Sequence, residues 1–284
     1  MRAGTLPMKL GLKVDVSTLR GARDGVPRLI TLLQRHGAGA TFFFCVGPDH
    51  SRFGRLMPGP DLGRRAGDTM RAARDAGFET GVQAYDARRW REHVARADVA
   101  WTEAQMQRAV DRYAEIFHDY PRAHAAAGWQ TNAHALRMTQ RLGFDYCSDG
   151  QGRAPHLPVR NAELIRCPQF PTTLPTLDEL AGEGIPDRDS AMRVLERTAT
   201  HPASMAVFTL RADRDGGARL ALVEQLLAGW QAQGHELVAL RSLYESVEPL
   251  QLPRCTVTLD STTGRAGRCL VQGDEFLGEP AHLA

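Results

Sequence analysis

Strand-length apolar runs alternate with helix-length amphipathic stretches along most of this chain, and no other feature narrows its fold so far. The run Ala40 to Gly47, which contains Thr41-Phe42-Phe43-Phe44-Cys45-Val46, is apolar on both faces. That pattern marks a parallel strand covered on both sides rather than a half-exposed antiparallel one. Leu10 to Val16, Glu79 to Tyr85, Arg122 to Trp129, Phe144 to Asp149, Leu164 to Phe170, Met205 to Ala212 and Glu236 to Leu240 read as further strands. Between them, helices are expected over Gly25 to His36, Asp61 to Ala76, Thr102 to Phe117, Asn132 to Leu142, Asp189 to Thr200 and Leu220 to Gln233. Pro27 suits a first turn, Gly37, Gly143 and Gly234 suit helix stops, and Thr102 with Gln105 has capping-box spacing. The result is an α/β chain with a mainly parallel sheet. About seven strand–helix repeats suit a closed or nearly closed (β/α) barrel, with a doubly wound sheet as the alternative. One domain is expected over 8–248, followed by an irregular C-terminal tail over 249–284 with one hairpin.

Composition excludes several classes of function. Hydrophobic residues make up 43% of the 284, as in ordinary soluble domains, and 35 basic against 33 acidic residues leave a net charge of +2. Such a balance gives no electrostatic footprint for nucleic acid. The basic residues are almost all arginine; Lys9 and Lys13 are the only lysines. No apolar run reaches the ~18 residues of a membrane helix, and Met1 to Pro7 lacks a hydrophobic signal core. The periodic sequence begins at Met8, a second candidate start. The expected location is the cytoplasm, with peripheral contact at the inner membrane allowed. Cys45, Cys147, Cys167, Cys255 and Cys269 show no C-x-x-C spacing and read as buried or free thiols; a Cys255–Cys269 bridge across the C-terminal hairpin is the alternative.

In a barrel of this kind chemistry gathers at the C-terminal ends of the strands. Asp15 is the most pointed residue there, because a carboxylate in an apolar strand must be paired, hydrogen-bonded or functional. Its bland reading is a partner for Arg20, Arg23 or Arg211. Tyr85 and Trp129 are candidate walls for a sugar or lipid head group, with ordinary rim packing as the alternative. None of the ten histidines falls at the C-terminal end of a predicted strand; His124 falls at the start of one, and only His93 is placed near the mouth. The sequence has no P-loop, no dinucleotide-binding glycine motif and no G-x-S-x-G elbow.

The stretch Val14-Asp15-Val16-Ser17-Thr18-Leu19-Arg20-Gly21 to Pro27 resembles the opening of the polysaccharide deacetylase family. Within that family the likeness is to deformylases that act on a lipid-linked formamido-arabinose in lipid A modification. It continues through Phe42 to Asp49, Ala125-Ala126-Ala127-Gly128-Trp129, Tyr146-Cys147-Ser148-Asp149 and Phe170 to Thr176, and spans roughly residues 9–250. The resemblance implies a distorted seven-stranded (β/α) barrel and metal-dependent hydrolysis of an N-acyl group on a sugar. The metal would polarise the amide, an aspartate would act as base and a histidine as acid.

Carried over residue by residue, the resemblance gives Asp15 as candidate base. The implied metal-ligand positions hold Ser17, Gln83 and Ala87, and the implied acid position holds Arg211. Such neutral, weak donors should hold zinc poorly. The expectation is a catalytically degenerate member, without a metal, binding a sugar phosphate, a lipid-linked sugar or a partner around Asp15, Tyr85, Trp129 and Arg211. Arg211 would face Asp15 or an anion. The alternative is an active carbohydrate de-N-acylase whose zinc or similar ion is held by Asp15, Asp86 and His93. The segment from Asp49 to Gly59 is also shorter than in the deformylases it resembles, which puts docking of a lipid carrier in question.

Overall fold

Strand β1 (Lys9–Val16) organises the molecule because three strands pair with it, all parallel. The computed structural model describes residues 7–50 and 59–277; most of the short Asp49 to Gly59 connection therefore lies outside the described residues. Along one edge β1 pairs with β8 (Met205–Arg211); along the other it pairs with β2 (Thr41–Phe44) and, at its lower half, with β9 (Glu236–Val238). The sheet continues through β3 (Glu79–Val82), β4 (Ala123–His124) and β5 (Tyr146–Cys147), giving seven parallel strands. A second sheet holds β6 (Leu157–Arg160), β7 (Glu163–Leu164), β10 (Arg254–Ser261) and β11 (Arg268–Glu275).

The two faces of the main sheet carry different cores. Outside it, Leu10, Leu12, Val14 and Val16 of β1 pack in a large cluster with helices that include α1 (Val26–Arg35), α2 (Leu62–Asp75), α4 (Val99–Phe117), α5 (Ala133–Arg141), α7 (Asp187–Ala199) and α8 (Leu220–Ala232). Inside the curve, a smaller cluster of Phe43, Tyr146, Phe170, Val207, Leu240 and Leu243 fills the lower half. The short helix α9 (Leu240–Tyr244) plugs that end. Gly11 permits the plug, since a Cβ there would lie 2.7 Å from Leu243 Cδ1. Side chains alternate across a strand, so the inward residues above Gly11 on β1 are Lys13 and Asp15. The filled lower half leaves the polar upper half as the open end.

Local details depart from the sequence expectations. The predicted strand Arg122 to Trp129 pairs only at Ala123–His124; beyond it, residues 127–129 form a tight turn with positive φ at Gly128 and Trp129. His124 therefore stands at the C-terminal end of its strand, not at the start of a long one. Phe144 to Asp149 contracts to Tyr146–Cys147. Leu164 to Phe170 is not one strand: Pro168 lacks a ladder N–H, and residues 163–164 turn back onto β6 instead. Residues 169–172 then bridge singly to Cys147 and Gln151, and Thr173 donates to the Val207 carbonyl of β8. Helix α4 starts three residues before Thr102, with Asp98 as its cap, because Asp98 accepts from the Trp101 N–H. Three short helices depart from the sequence expectations: α9, α3 (Ala87–His93) capped by Asp86, and α6 (Leu177–Gly182) capped by the Thr176–Glu179 box.

The C-terminal hairpin β10–β11 is joined to the rest of the molecule. β10 pairs with β6, and Gln151 bridges to Val271 of β11. Cys255 lies opposite Glu275 and Cys269 opposite Asp260, so the two thiols are out of register for a bridge. All five cysteines are free and buried.

Candidate active-site mouth

The open end of the barrel-like sheet is a cavity lined by residues from many elements, among them Asp15, Ser17, Thr18, Asp49, His50, Ala87, Arg91, Trp129, Asp178, Arg211 and Arg265. Asp15 and Ser17 follow from the same inward register of β1 and the turn after it. Below them, Lys13 is fully buried, and its Nζ lies 3.5 Å from Asp15 Oδ1 and donates to the Ser148 carbonyl at 2.9 Å. The ammonium also stands 5.7 Å from the Phe43 ring centre and 5.5 Å from that of Trp129. Burial pushes the Asp15 carboxyl above the usual range, opposed by the Lys13 and Arg211 charges. Burial also pulls the Lys13 ammonium below its ordinary value, opposed by Asp15 and Asp149.

Ser17 and Gln83 come together beside Asp15. Ser17 Oγ donates to Gln83 Oε1 at 2.7 Å, and the Cys45 thiol donates to the same oxygen at 3.1 Å. Burial pushes the Cys45 thiol up to about 12, so it stays a donor. Ala87 contributes a methyl group at the start of α3. These donors do not fit a divalent ion: the hydroxyl and amide oxygen are spent on each other, a methyl stands at the third position, and an ammonium already neighbours the carboxylate. Among the described residues, no group of three His, Cys, Asp or Glu donors converges at this mouth.

Three buried polar atoms here have no hydrogen-bond partner: Asp15 Oδ1, Gln83 Nε2 and Trp129 Nε1. Buried polar groups are normally satisfied, so these three atoms are exceptions at or beside the cavity. Trp129 is 4% exposed, and its ring centre lies 5.5 Å from the Lys13 ammonium and 4.6 Å from the Arg265 guanidinium. Arg265 reaches in from the β10–β11 turn and donates to the Gly128 carbonyl at 2.7 Å.

Other expectations are corrected. Arg211 lines the mouth but is held by carboxylates, donating to Asp178 at 2.8 Å and to Asp213 at 3.2 Å, rather than pairing with Asp15. Asp178 also takes Arg214 and Arg219. Tyr85 does not line the mouth; its ring is covered by Arg108 at 3.8 Å, which also donates to its hydroxyl. Asp86 caps α3 and pairs with His50 at 3.1 Å, and His93 sets its ring against Trp101, away from Asp15. Sequence reasoning missed Lys13, Arg91 and Arg265. The signal for Lys13 was present, as one of two lysines in an arginine-based chain and two residues before Asp15.

An α/β body with a half-barrel of parallel strands and a polar mouth at the strand ends is the architecture of the polysaccharide deacetylases. A Mycobacterium smegmatis protein assigned to that class superposes with a TM-score of 0.68 at 17% identity, over 92% of this chain and 97% of the other. A Bacillus anthracis protein described as a CE4 family pseudoenzyme gives 0.57 at 13% identity, over 84% of this chain and 66% of the other. No family model matches the chain. A Shewanella sediminis protein described as a probable 4-deoxy-4-formamido-L-arabinose-phosphoundecaprenol deformylase, ArnD, is 30% identical over 91% of this chain and 93% of its own length. The chain belongs to this ArnD deformylase family of polysaccharide deacetylase-like proteins. No helix among the described residues is long and apolar enough to cross a membrane.

Proposed function

We propose that this chain binds a sugar phosphate, as carried by a lipid-linked sugar, in the mouth around Trp129, and does so without metal-assisted hydrolysis. The observation that carries the reading is the Ser17–Gln83 hydrogen bond, 2.7 Å long, at two positions where the family resemblance places metal ligands. With Lys13 beside Asp15, the site balances its carboxylate with a built-in cation. Without a bound metal, amide cleavage lacks its electrophile. The unpartnered Trp129 N–H and the Asp15 oxygen are suited to sugar hydroxyls. Arg91 and Arg265, which have no carboxylate partner among the described residues, are suited to the phosphate. The positions of Asp86 and His93 speak against a rebuilt metal site and so against the de-N-acylase alternative. We read the seven parallel strands of the main sheet, bridged by the 169–174 segment, as the distorted seven-stranded barrel of the class, and place the protein in the cytoplasm, touching a membrane only where its lipid-linked ligand does.

The test is binding and turnover on one preparation. Soluble 4-deoxy-4-formamido-L-arabinose phosphate and its undecaprenyl-linked form are titrated while tryptophan fluorescence is followed, and formate release is assayed with zinc, cobalt and manganese. Saturable binding without formate is expected. Formate release that disappears in Asp15→Asn would overturn the proposal.

A further inference from the structure

On the opposite face of the sheet, an imidazole, a thiol and a carboxylate meet, with a second thiol beside the first. His124 and Cys147 are cross-strand partners on β4 and β5, and Asp149 lies two residues beyond Cys147, on the same side. One ligand atom each from His124, Cys147 and Asp149 falls within 4.8 Å of the others, and all three residues are buried. Cys167 brings a second sulfur, its Sγ 3.5 Å from that of Cys147. Cys147 and Cys167 belong to the core between sheet and helices, whereas their neighbours Tyr146 and Phe170 belong to the inner core. The cluster is therefore on the helix side of the sheet, away from the mouth cavity.

We propose that His124, Cys147 and Asp149 bind a structural zinc, with the Cys167 thiolate turning in as fourth donor, and that the ion ties three weakly paired segments together. Two thiolates, an imidazole and a carboxylate are the donor set of a four-coordinate zinc site with no open position. Tetrahedral zinc with sulfur bonds of ~2.3 Å needs its two sulfurs ~3.7 Å apart, close to the spacing here. His124 Nδ1 and Asp149 Oδ1 are 2.7 Å apart and share a proton; zinc would replace that proton, with the two atoms parting by about half an ångström. The donors are oriented from behind. Gln169 donates to Asp149 Oδ2 at 3.1 Å and accepts from the Asp149 N–H at 3.0 Å, while the Phe144 ring stacks on His124 at 5.4 Å. The ionised donor set carries three negative charges against two on the ion, and the Lys13 ammonium, which also pairs with Asp15, is near enough to Asp149 to offset part of the excess.

The segments joined have short stretches of backbone pairing. β4 and β5 are two residues long, and residue 169 meets β5 through a single bridge. An ion bound only by the folded state stabilises it by mass action.

The chain is unfolded and refolded with one equivalent of zinc or cobalt. The expected result is one tightly held ion per chain, thiolate-to-cobalt charge-transfer absorption, and a fall in Tm when a chelator removes the ion. Cys147→Ser and Cys167→Ser should each weaken the absorption, and the double variant should abolish it. Asp15→Asn, at the mouth, should leave it unchanged, which separates this site from any metal acting in the mouth. Absence of stoichiometric zinc and of the cobalt band in the unmodified chain overturns the proposal, whether or not the variants fold. So does an ion retained by the double variant, or a Cys147–Cys167 disulfide found by intact mass.

Discussion

Lys13 Nζ lies 3.5 Å from Asp15 Oδ1, on the same inward face of one strand, and the lysine is wholly buried. Desolvation acts against both charges, and each is tolerable mainly because of the other. The pair places a cation of the protein's own at the floor of the mouth, where it also faces Trp129.

Removing one partner should cost far more than removing both. Lys13→Met leaves Asp15 without its nearest cation and the Ser148 carbonyl without a donor, so a loss of about 3–5 kcal/mol is expected. Adding Asp15→Asn should restore a large part of that loss. Urea unfolding of the two variants and the unmodified chain checks the order; a double variant no better than Lys13→Met would contradict the pairing.

Restoring the ligand types that the family resemblance implies should create a metal site at the mouth. The triple variant Ser17→Asp, Gln83→His, Ala87→His exchanges a hydrogen-bonded pair and a methyl for three donors beside Asp15. Relative to the unmodified chain, it should bind one additional zinc per chain. Metal analysis after dialysis decides; an unchanged zinc content would show that the position of these residues, not only their chemistry, is wrong for a metal.

Phosphate recognition should depend on the mouth arginines that have no carboxylate partner among the described residues. Arg265→Ala removes a guanidinium that stacks on Trp129, and its loss should weaken sugar-phosphate binding by roughly tenfold to a hundredfold. Arg211→Ala, already engaged with Asp178 and Asp213, should weaken it less. Titrations at low and high salt separate the two: the Arg265 variant should show the shallower salt dependence.

Two buried groups outside the mouth give pH responses of opposite sign. Burial pushes the Asp215 carboxyl up to about 7, so between about 4 and 7 the native state binds its proton more tightly than the unfolded chain. Stability from this group is present at low pH and lost as pH rises through 7, by on the order of 4 kcal/mol. Burial pulls His156 down to about 4, so the unfolded chain protonates first and stability falls as pH drops from about 6.5 to 4. The two windows overlap between about pH 4 and 6.5, where the slopes oppose each other, so unfolding measured across pH 4 to 8 should show stability rising more steeply with pH in Asp215→Asn and falling with pH in His156→Gln, each relative to the unmodified chain. Variants that shift the profile in the same direction would refute this assignment.

Much of the fold was legible because its signals are local. The apolar run at Thr41 to Phe44 and the capped, amphipathic helix at Leu62–Asp75 are each specified within a dozen or so residues. The strands at Ala123–His124 and Tyr146–Cys147 were drawn too long, because their flanks are apolar for packing and not for pairing: Ala127 and Phe144 lie in the core without joining the ladder. That error hid the position of His124 at a strand end. In the mouth, Asp15 was legible as a charge in an apolar strand, and Ser17 and Gln83 by their spacing in the family motifs. Arg265 was not, since nothing near it in sequence says that its turn folds back over Gly128. The cover over Tyr85 is not legible either, since Arg108 comes from a helix two elements away.

The turn that carries Arg265 is seated on helix α6 by two glycines. A Cβ on Gly182 would fall 1.9 Å from the Gly264 carbonyl oxygen, and one on Gly264 would fall 2.1 Å from that of Glu179. Synthesis proceeds from the N-terminus, and the parallel strands of the main sheet all precede this turn. The wall that Arg265 supplies is thus made of residues synthesised after every strand of the main sheet, so the pocket is assembled from two far-separated parts of the chain.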